Sequence, residues 1–326
     1  MKIYRRKIRQ NGVTMRYREF GNTGLTVSEM CLGTWGIGGY GWDFNPDETK
    51  LAAIQAAIEE GINFFDTAPA YNAGAAERLL GEAVKKSGRR NELVLATKCG
   101  TDLINGQYVR DASRAKIMDQ IDKSLANLQT DYIDIYLLHW PSENVPEEEA
   151  IEAMADIRKS GKVRFIGVSN HSIEQRKAAE KVARIDCVQM QYSMLVQENT
   201  EALKSAHEDG LGTMLYGPLG GGILTGRYRE LKEYGEMDNR NRFYKYFKEP
   251  GFSKAMKLLE TLDKVAAERH VPLSEIAINW AAQKEFASSV LVGTQKAERV
   301  YENCRAFDWM LSDEEIALLD KAAAEL

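Results

Sequence analysis

The feature that most constrains this chain is a rhythm of short apolar runs separated by longer segments of helical period. The runs cover residues 29–33, 62–66, 93–97, 133–138, 163–168, 187–191, 212–216 and 289–292. Near-continuous apolar strands joined by helices are buried on both faces, the pattern of a parallel sheet. Between the third and fourth runs, Ile117, Ile121, Leu125 and Leu128 repeat at helical spacing and predict one apolar stripe. Pro46 or Asp47 can start a helix through Leu51, Ile54 and Ile58, and Gly61 stops it. Ser312 with Glu315 predicts a capping box for a last helix. Eight such units in 326 residues predict an α/β fold of one domain, a closed (β/α)8 TIM barrel. The open, doubly wound alternative is weakened because no GxGxxG follows the first run.

Composition excludes several classes. A net charge of -5 argues against nucleic acid as the main partner. The basic residues that do cluster, Lys2, Arg5, Arg6, Lys7, Arg9, Arg16 and Arg18, read as a solvated N-terminal tail. Residues 1–14 are expected to be an extension, disordered in whole or in part, with the barrel over 15–326. No apolar core of a signal peptide follows the tail, and no long apolar run predicts a membrane span. Cys31, Cys99, Cys187 and Cys304 lie far apart without metal-ligand spacing, and they read as buried reduced thiols of a cytoplasmic protein.

In a (β/α)8 barrel chemistry gathers at the C-terminal strand ends. The second run ends at Asp66 and continues to Tyr71, the third leads to Lys98, and the fourth to His139. Each residue alone has an ordinary reading, as a cap, a rim aromatic, an ion-pair partner or a core histidine. Placed together at successive strand ends, they form a proton-transfer set. A nearby ammonium stabilises a phenolate, a carboxylate orients the ammonium, and an imidazole can hold a carbonyl oxygen. The segment between the seventh and eighth runs, 217–288, is too long for one helix. Its stretch 228–252 carries Tyr234, Phe243, Tyr244, Tyr246 and Phe247. It is expected either to lie over the barrel mouth or to pack its own aromatics as a flap.

Five stretches together resemble the aldo-keto reductases, from about Arg18 to the C-terminus. They are Gly33-Thr34-Trp35, Phe65-Asp66-Thr67-Ala68-Pro69-Ala70-Tyr71, Leu138-His139-Trp140-Pro141, Gly167-Val168-Ser169-Asn170 and Tyr216-Gly217-Pro218-Leu219. The Gly-Pro-Leu form is most similar to bacterial barrel reductases. The resemblance implies hydride transfer between NADP(H) and an aldehyde, ketone, alcohol or sugar. It implies Tyr71 as general acid or base, Lys98 and Asp66 as tuners of its pKa, and His139 as orienter of the substrate oxygen. It implies that Ser169, Asn170 and Gln191 hold the nicotinamide carboxamide and that Tyr216 stacks on the ring. The glycine-rich run through Gly222, Leu224 and Arg227 would wrap the pyrophosphate. Thr294, Arg299, Glu302 and Asn303 would hold the adenosine phosphate. The family often carries a basic residue at Gly293 or Gln295, and neither is basic here, so NAD(H) stays open beside NADP(H). Trp35, Trp42 and Trp140 are expected to line the substrate pocket with Tyr71 and His139, giving a modest preference for a sugar or polyol. A nicotinamide-binding regulatory subunit and an unrelated sugar-phosphate barrel are the other readings, and the complete Asp66, Tyr71, Lys98 and His139 set disfavours both. Nothing in the chain speaks to oligomeric state.

Overall fold

The computed structural model describes residues 6–8 and 14–326, with side chains from Met15 onward. Eight strands close into one barrel. They are β1 (Met30–Gly33), β2 (Phe64–Asp66), β3 (Val94–Cys99) and β4 (Ile133–Leu138). β5 (Val163–Ser169), β6 (Cys187–Gln191), β7 (Gly212–Tyr216) and β8 (Ser289–Gly293) complete it. Each strand pairs in parallel with its neighbour in sequence, and β8 returns to β1 through Val290↔Met30 and Gly293↔Gly33. All eight strands fall on the expected runs.

Helices follow the strands. α1 (Asp47–Glu59), α2 (Ala75–Ser87), α3 (Arg114–Leu128) and α4 (Glu147–Lys159) cover the first half. α5 (Ile173–Val182), α6 (Thr200–Glu208), α7 (Gly251–Arg269), α8 (Leu273–Ala282), α9 (Ala297–Cys304) and α10 (Asp313–Ala324) cover the second. The stripe expected on α3 is buried at Ile117, Ile121 and Leu128. The Ser312–Glu315 capping box is formed at the start of α10. A short helix, Asn239–Phe243, and the two longer ones, α7 and α8, lie in the long segment between β7 and β8.

Side chains alternate across a strand, and here the alternation sorts the core in two. Phe64, Val94, Ala96, Ile135, Leu137, Cys187, Met214 and Leu291 face the barrel interior as one cluster. Phe65, Leu95, Tyr136, Leu138, Val188, Leu215 and Val290 face the helices in another. The inward series continues by twos to the upper strand ends. It therefore delivers Asp66 after Phe64, Lys98 after Ala96, and Gln189 after Cys187 to one mouth.

The other end of the barrel is closed by an antiparallel pair, Thr14–Glu19 with Thr26–Ser28. Phe20, Leu25 and Val27 from this plug fill the interior from below, with Phe20 edge-on to Phe64 at 5.4 Å between ring centroids. Here the expectation of a solvated basic tail is corrected. Arg16 and Arg18 are buried, and their Nε atoms donate to the two oxygens of buried Glu29 at 2.7 and 2.6 Å. Arg18 also donates to the carbonyls of Ala287 and Ala282, and Arg16 to that of Trp309. Alternation explains the burial: two arginines two residues apart point the same way, into a floor where one carboxylate and several carbonyls meet them. Arg6–Ile8 adds a third strand to the plug, pairing with Thr14–Arg16. Lys2, Arg5, Arg9 and the rest of 1–5 and 9–13 lie outside the described residues.

The four cysteines are free and buried. No helix among the described residues is long and apolar enough to cross a membrane.

Candidate active site

At the mouth, Lys98 is fully buried. Its Nζ donates to Asp66 Oδ1 at 2.7 Å, to the Thr67 carbonyl at 2.8 Å and to Tyr71 Oη at 3.1 Å. An ammonium has three donors and no acceptor, so all three are committed. Tyr71 therefore receives a hydrogen bond on its oxygen, and its own hydroxyl hydrogen is left to point elsewhere. The second Asp66 oxygen, Oδ2, accepts from Gln189 Nε2 at 2.8 Å. The carboxylate is held on both sides, the ammonium on three, and the phenol on one.

Burial dominates the electrostatics. It pushes the Tyr71 phenol well above its ordinary value, with the Asp66 charge adding to the rise. From its position in the sequence, Lys98 is expected to stabilise a Tyr71 phenolate. The contact is present, and burial outweighs it in the resting site, so the protonated phenol is favoured there. Burial likewise raises Asp66 against the lowering influence of Lys98 and lowers Lys98 against that of Asp66. His139 is pushed well below its ordinary value by burial, then by the Lys98 and Arg110 charges. Its imidazole is neutral, its ring lies 6.0 Å from that of Tyr71, and its Nδ1 is buried with no partner among the described residues.

These groups open into a cavity of about 980 Å³. At its centre are Gly33, Trp35, Asp66, Tyr71, His139, Ser169, Asn170 and Tyr216. Asn170 sits at positive φ, and its Nδ2 donates to the His139 carbonyl and to Ser169 Oγ, both at 3.1 Å. Tyr216 Oη donates to Asn170 Oδ1 at 2.8 Å. One arm of the cavity follows Gly217, Pro218, Leu219, Gly222 and Arg227, and reaches Gly293, Thr294, Gln295 and Arg299. In that arm Gly217, Gly221 and Gly222 all have positive φ. A Cβ on Gly221 would come within 2.7 Å of the Tyr244 ring, so only glycine keeps this path. The other arm is aromatic, with Trp35, Trp42, Trp140, Tyr108, Phe243 and Tyr244.

Not every expected residue meets the cavity. Gln191 does not line it, whereas Gln189, on the same strand face and one step deeper, does. Thr34 is buried behind the wall, its hydroxyl donating to the Asp66 carbonyl at 2.9 Å. Leu224 is buried among core side chains. Glu302 is turned to Arg299 in an ion pair, and Asn303 is buried in α9. Gln295 is committed to the loop opposite: its Nε2 donates to the Asp43 carbonyl at 3.0 Å, and Asn45 Nδ2 donates to its Oε1 at 2.9 Å.

Both readings of the 228–252 segment hold, each for different residues. Tyr228, Phe243 and Tyr244 reach the cavity, while Tyr228, Tyr234 and Phe247 pack edge-on at 5.3 to 6.4 Å. Arg240 ties the segment to the insert after β1 by pairing with Asp43 at 2.7 Å. The hairpin Thr101–Ile104 with Gln107–Arg110 was missed by the sequence argument. It supplies Thr101, Tyr108 and Arg110 to the lining.

The model of the Aldo/keto reductase family matches residues 29–324. The chain belongs to the aldo/keto reductase family. Among the relatives of this chain, aldo-keto reductase YhdN of Bacillus subtilis (strain 168) is 38% identical, covering 92% of this chain and 91% of its own. An NADH-specific methylglyoxal reductase of Escherichia coli (strain K12) is 32% identical over 96% of this chain and 99% of its own. Among solved structures, the glycerol dehydrogenase AKR11B4 from Gluconobacter oxydans superposes with a TM-score of 0.85. That structure is 29% identical and covers 95% of each chain.

Proposed function

We propose that this aldo-keto reductase transfers a hydride between NADP(H) and a small aldehyde, ketone, alcohol or sugar, with Tyr71 as general acid in reduction and base in oxidation. The observation that carries this reading is the committed geometry of Lys98, which leaves the Tyr71 hydroxyl hydrogen free to meet a substrate oxygen. The cavity fits the group the family implies. Its glycine-lined wall at Gly217, Gly221 and Gly222 lets the backbone come close to a phosphate, with no side chain in the way. Ser169, Asn170, Gln189 and Tyr216 would hold the nicotinamide end, and Thr294, Lys296 and Arg299 the adenosine phosphate. A bound nicotinamide supplies or accepts the hydride.

The chain's own residues handle the proton. In reduction Tyr71 Oη gives its proton to the oxygen that was the carbonyl, and Lys98 Nζ stabilises the phenolate left behind. Asp66 and Gln189 keep Lys98 aimed. Neutral His139 can donate one hydrogen bond to the same oxygen, fixing its direction without adding a charge. The choice of NADP(H) rests on Lys296 and Arg299. Arg299 already pairs with Glu302, and Gln295 is tied to the insert, so NAD(H) is the second reading.

Fluorescence titration with NADPH and NADH, followed by turnover on a panel of carbonyls, tests this. Tighter binding of NADPH and turnover are expected. Equal or tighter binding of NADH overturns the nucleotide choice. Nucleotide binding without turnover on any carbonyl or polyol moves the chain to a regulatory, nicotinamide-binding role.

A further inference from the structure

The hairpin after β3 places a guanidinium at the substrate arm that the proton chemistry does not use. Arg110 lines the cavity and stacks over the Trp140 ring at 4.5 Å, and Trp140 in turn stacks on His139 at 6.3 Å between centroids. Arg110, Trp140 and His139 thus form a short stair from the rim to the reacting groups. Trp140 fixes the guanidinium plane, and the Arg110 charge reaches His139. In the hairpin register Thr101 faces Arg110. Thr101 also lines the cavity, is 3% exposed, and its hydroxyl has no hydrogen-bond partner among the described residues. Outside the lining, exposed Arg242 lies over the Tyr108 ring at 5.8 Å, and no ion pair joins it to a carboxylate among the described residues.

The carboxylates of the lining do not answer this positive charge. Asp43 is paired with Arg240, Asp66 with Lys98, and Glu298 lies past the end of β8. The partner Arg110 does have, Glu143, is well exposed at the outer side. An exposed ion pair is weak and readily exchanged, whereas a guanidinium binds carboxylate or phosphate oxygens in two parallel hydrogen bonds.

We infer that Arg110 is a specificity residue: it exchanges Glu143 for a terminal anion, carboxylate or phosphate, on a short-chain carbonyl substrate, with Thr101 as a second donor. This rests on the reductase reading and narrows its substrate class to anionic carbonyl compounds. A cation at the arm whose only carboxylate is exposed and readily exchanged disfavours a plain hydrocarbon aldehyde, and the aromatic walls still accept the carbon chain.

The test is a ratio of kcat/KM values in matched pairs, glyceraldehyde 3-phosphate against glyceraldehyde and succinic semialdehyde against pentanal. The wild type is expected to favour the anionic member of at least one pair, and the pair that shows it tells phosphate from carboxylate. Arg110→Met should lower that preference by about tenfold to a hundredfold. Arg110→Lys should restore part of it, since it keeps the charge but loses the fork. Glu143→Gln, which removes the competing carboxylate, should lower KM for the anionic member. A preference unchanged in Arg110→Met overturns the inference, as does a wild type that favours the neutral member of both pairs. Failure to turn over any compound overturns the reductase reading instead. The anion site is then decided by tryptophan fluorescence titration with glyceraldehyde 3-phosphate, whose binding Arg110→Met must weaken if the site is real.

Discussion

The two ends of this barrel both bury charge, and they do it differently. At the floor, Glu29 lies between Arg16 and Arg18, and the arginines spend further donors on carbonyls of Trp309, Ala282 and Ala287. The floor leaves one buried donor over, Arg16 Nη2; at the mouth, Asp66 and Lys98 form an equally buried pair, but there the network ends beside the cavity, in groups with capacity left over. The Tyr71 hydrogen, His139 Nδ1 and the Thr101 hydroxyl have no partner among the described residues. Burying a charge costs several kcal/mol unless it is paired, and breaking a buried pair from one side costs about 3–5 kcal/mol. The floor uses that penalty to fix the plug against the barrel. On the proposed reading, the mouth uses it to hold Tyr71 as a proton donor beside an open cavity.

Substitutions that separate these roles test the contrast. Tyr71→Phe should show the largest effect: turnover falls by about 10²–10⁴-fold, while nucleotide affinity, read by fluorescence titration, stays within about twofold. The reverse pattern is expected at the floor. Glu29→Gln leaves two buried guanidiniums without a counter-charge, and urea denaturation should register a loss of about 3–5 kcal/mol. Its kcat per folded molecule should match the wild type, and a selective loss of kcat would erase the distinction between the two ends. Gln189→Leu removes a hydrogen bond to the Asp66 carboxylate. A bond to a charged group contributes about 1.5–3 kcal/mol, so kcat should fall about tenfold or more, with only a small change in the urea midpoint.

The pH profile gives the gentlest test. His139 is held below 6.5 and Tyr71 above 10. Between those values the imidazole stays neutral and the phenol stays protonated, so kcat for reduction should be flat there. An alkaline fall within that window would mean either that Tyr71 ionises early or that Lys98, which burial pushes down, loses its proton there; the Tyr71 phenolate absorbance tells the two apart.

Much of this was legible in the sequence because strand parity is strict. Once the eight runs are aligned, Asp66 and Lys98 must fall on the inner face near the top, and the turn after β2 brings Tyr71 to them. The same parity contains what was missed. Gln189 and Gln191 share a face, and only depth along the strand decides which one reaches Asp66, a matter of register with Ser169 rather than of residue type. The hairpin left an overlooked signal: Asn105-Gly106, both at positive φ, is the dipeptide of a two-residue hairpin turn. Arg16 and Arg18 misled because a charge block reads the same on a tail and in a plug. Only the arrival of Glu29 and three carbonyls from distant segments tells them apart.

The central claim is that Tyr71 is a half-buried neutral acid whose oxygen is held by Lys98 and whose hydrogen is left for substrate. The most direct test is the phenolate absorbance titration of the wild type minus that of Tyr71→Phe. The account predicts no difference signal until the pH passes 10. A phenolate appearing at neutral or mildly alkaline pH would contradict it, and would make Tyr71 a standing base rather than a proton donor.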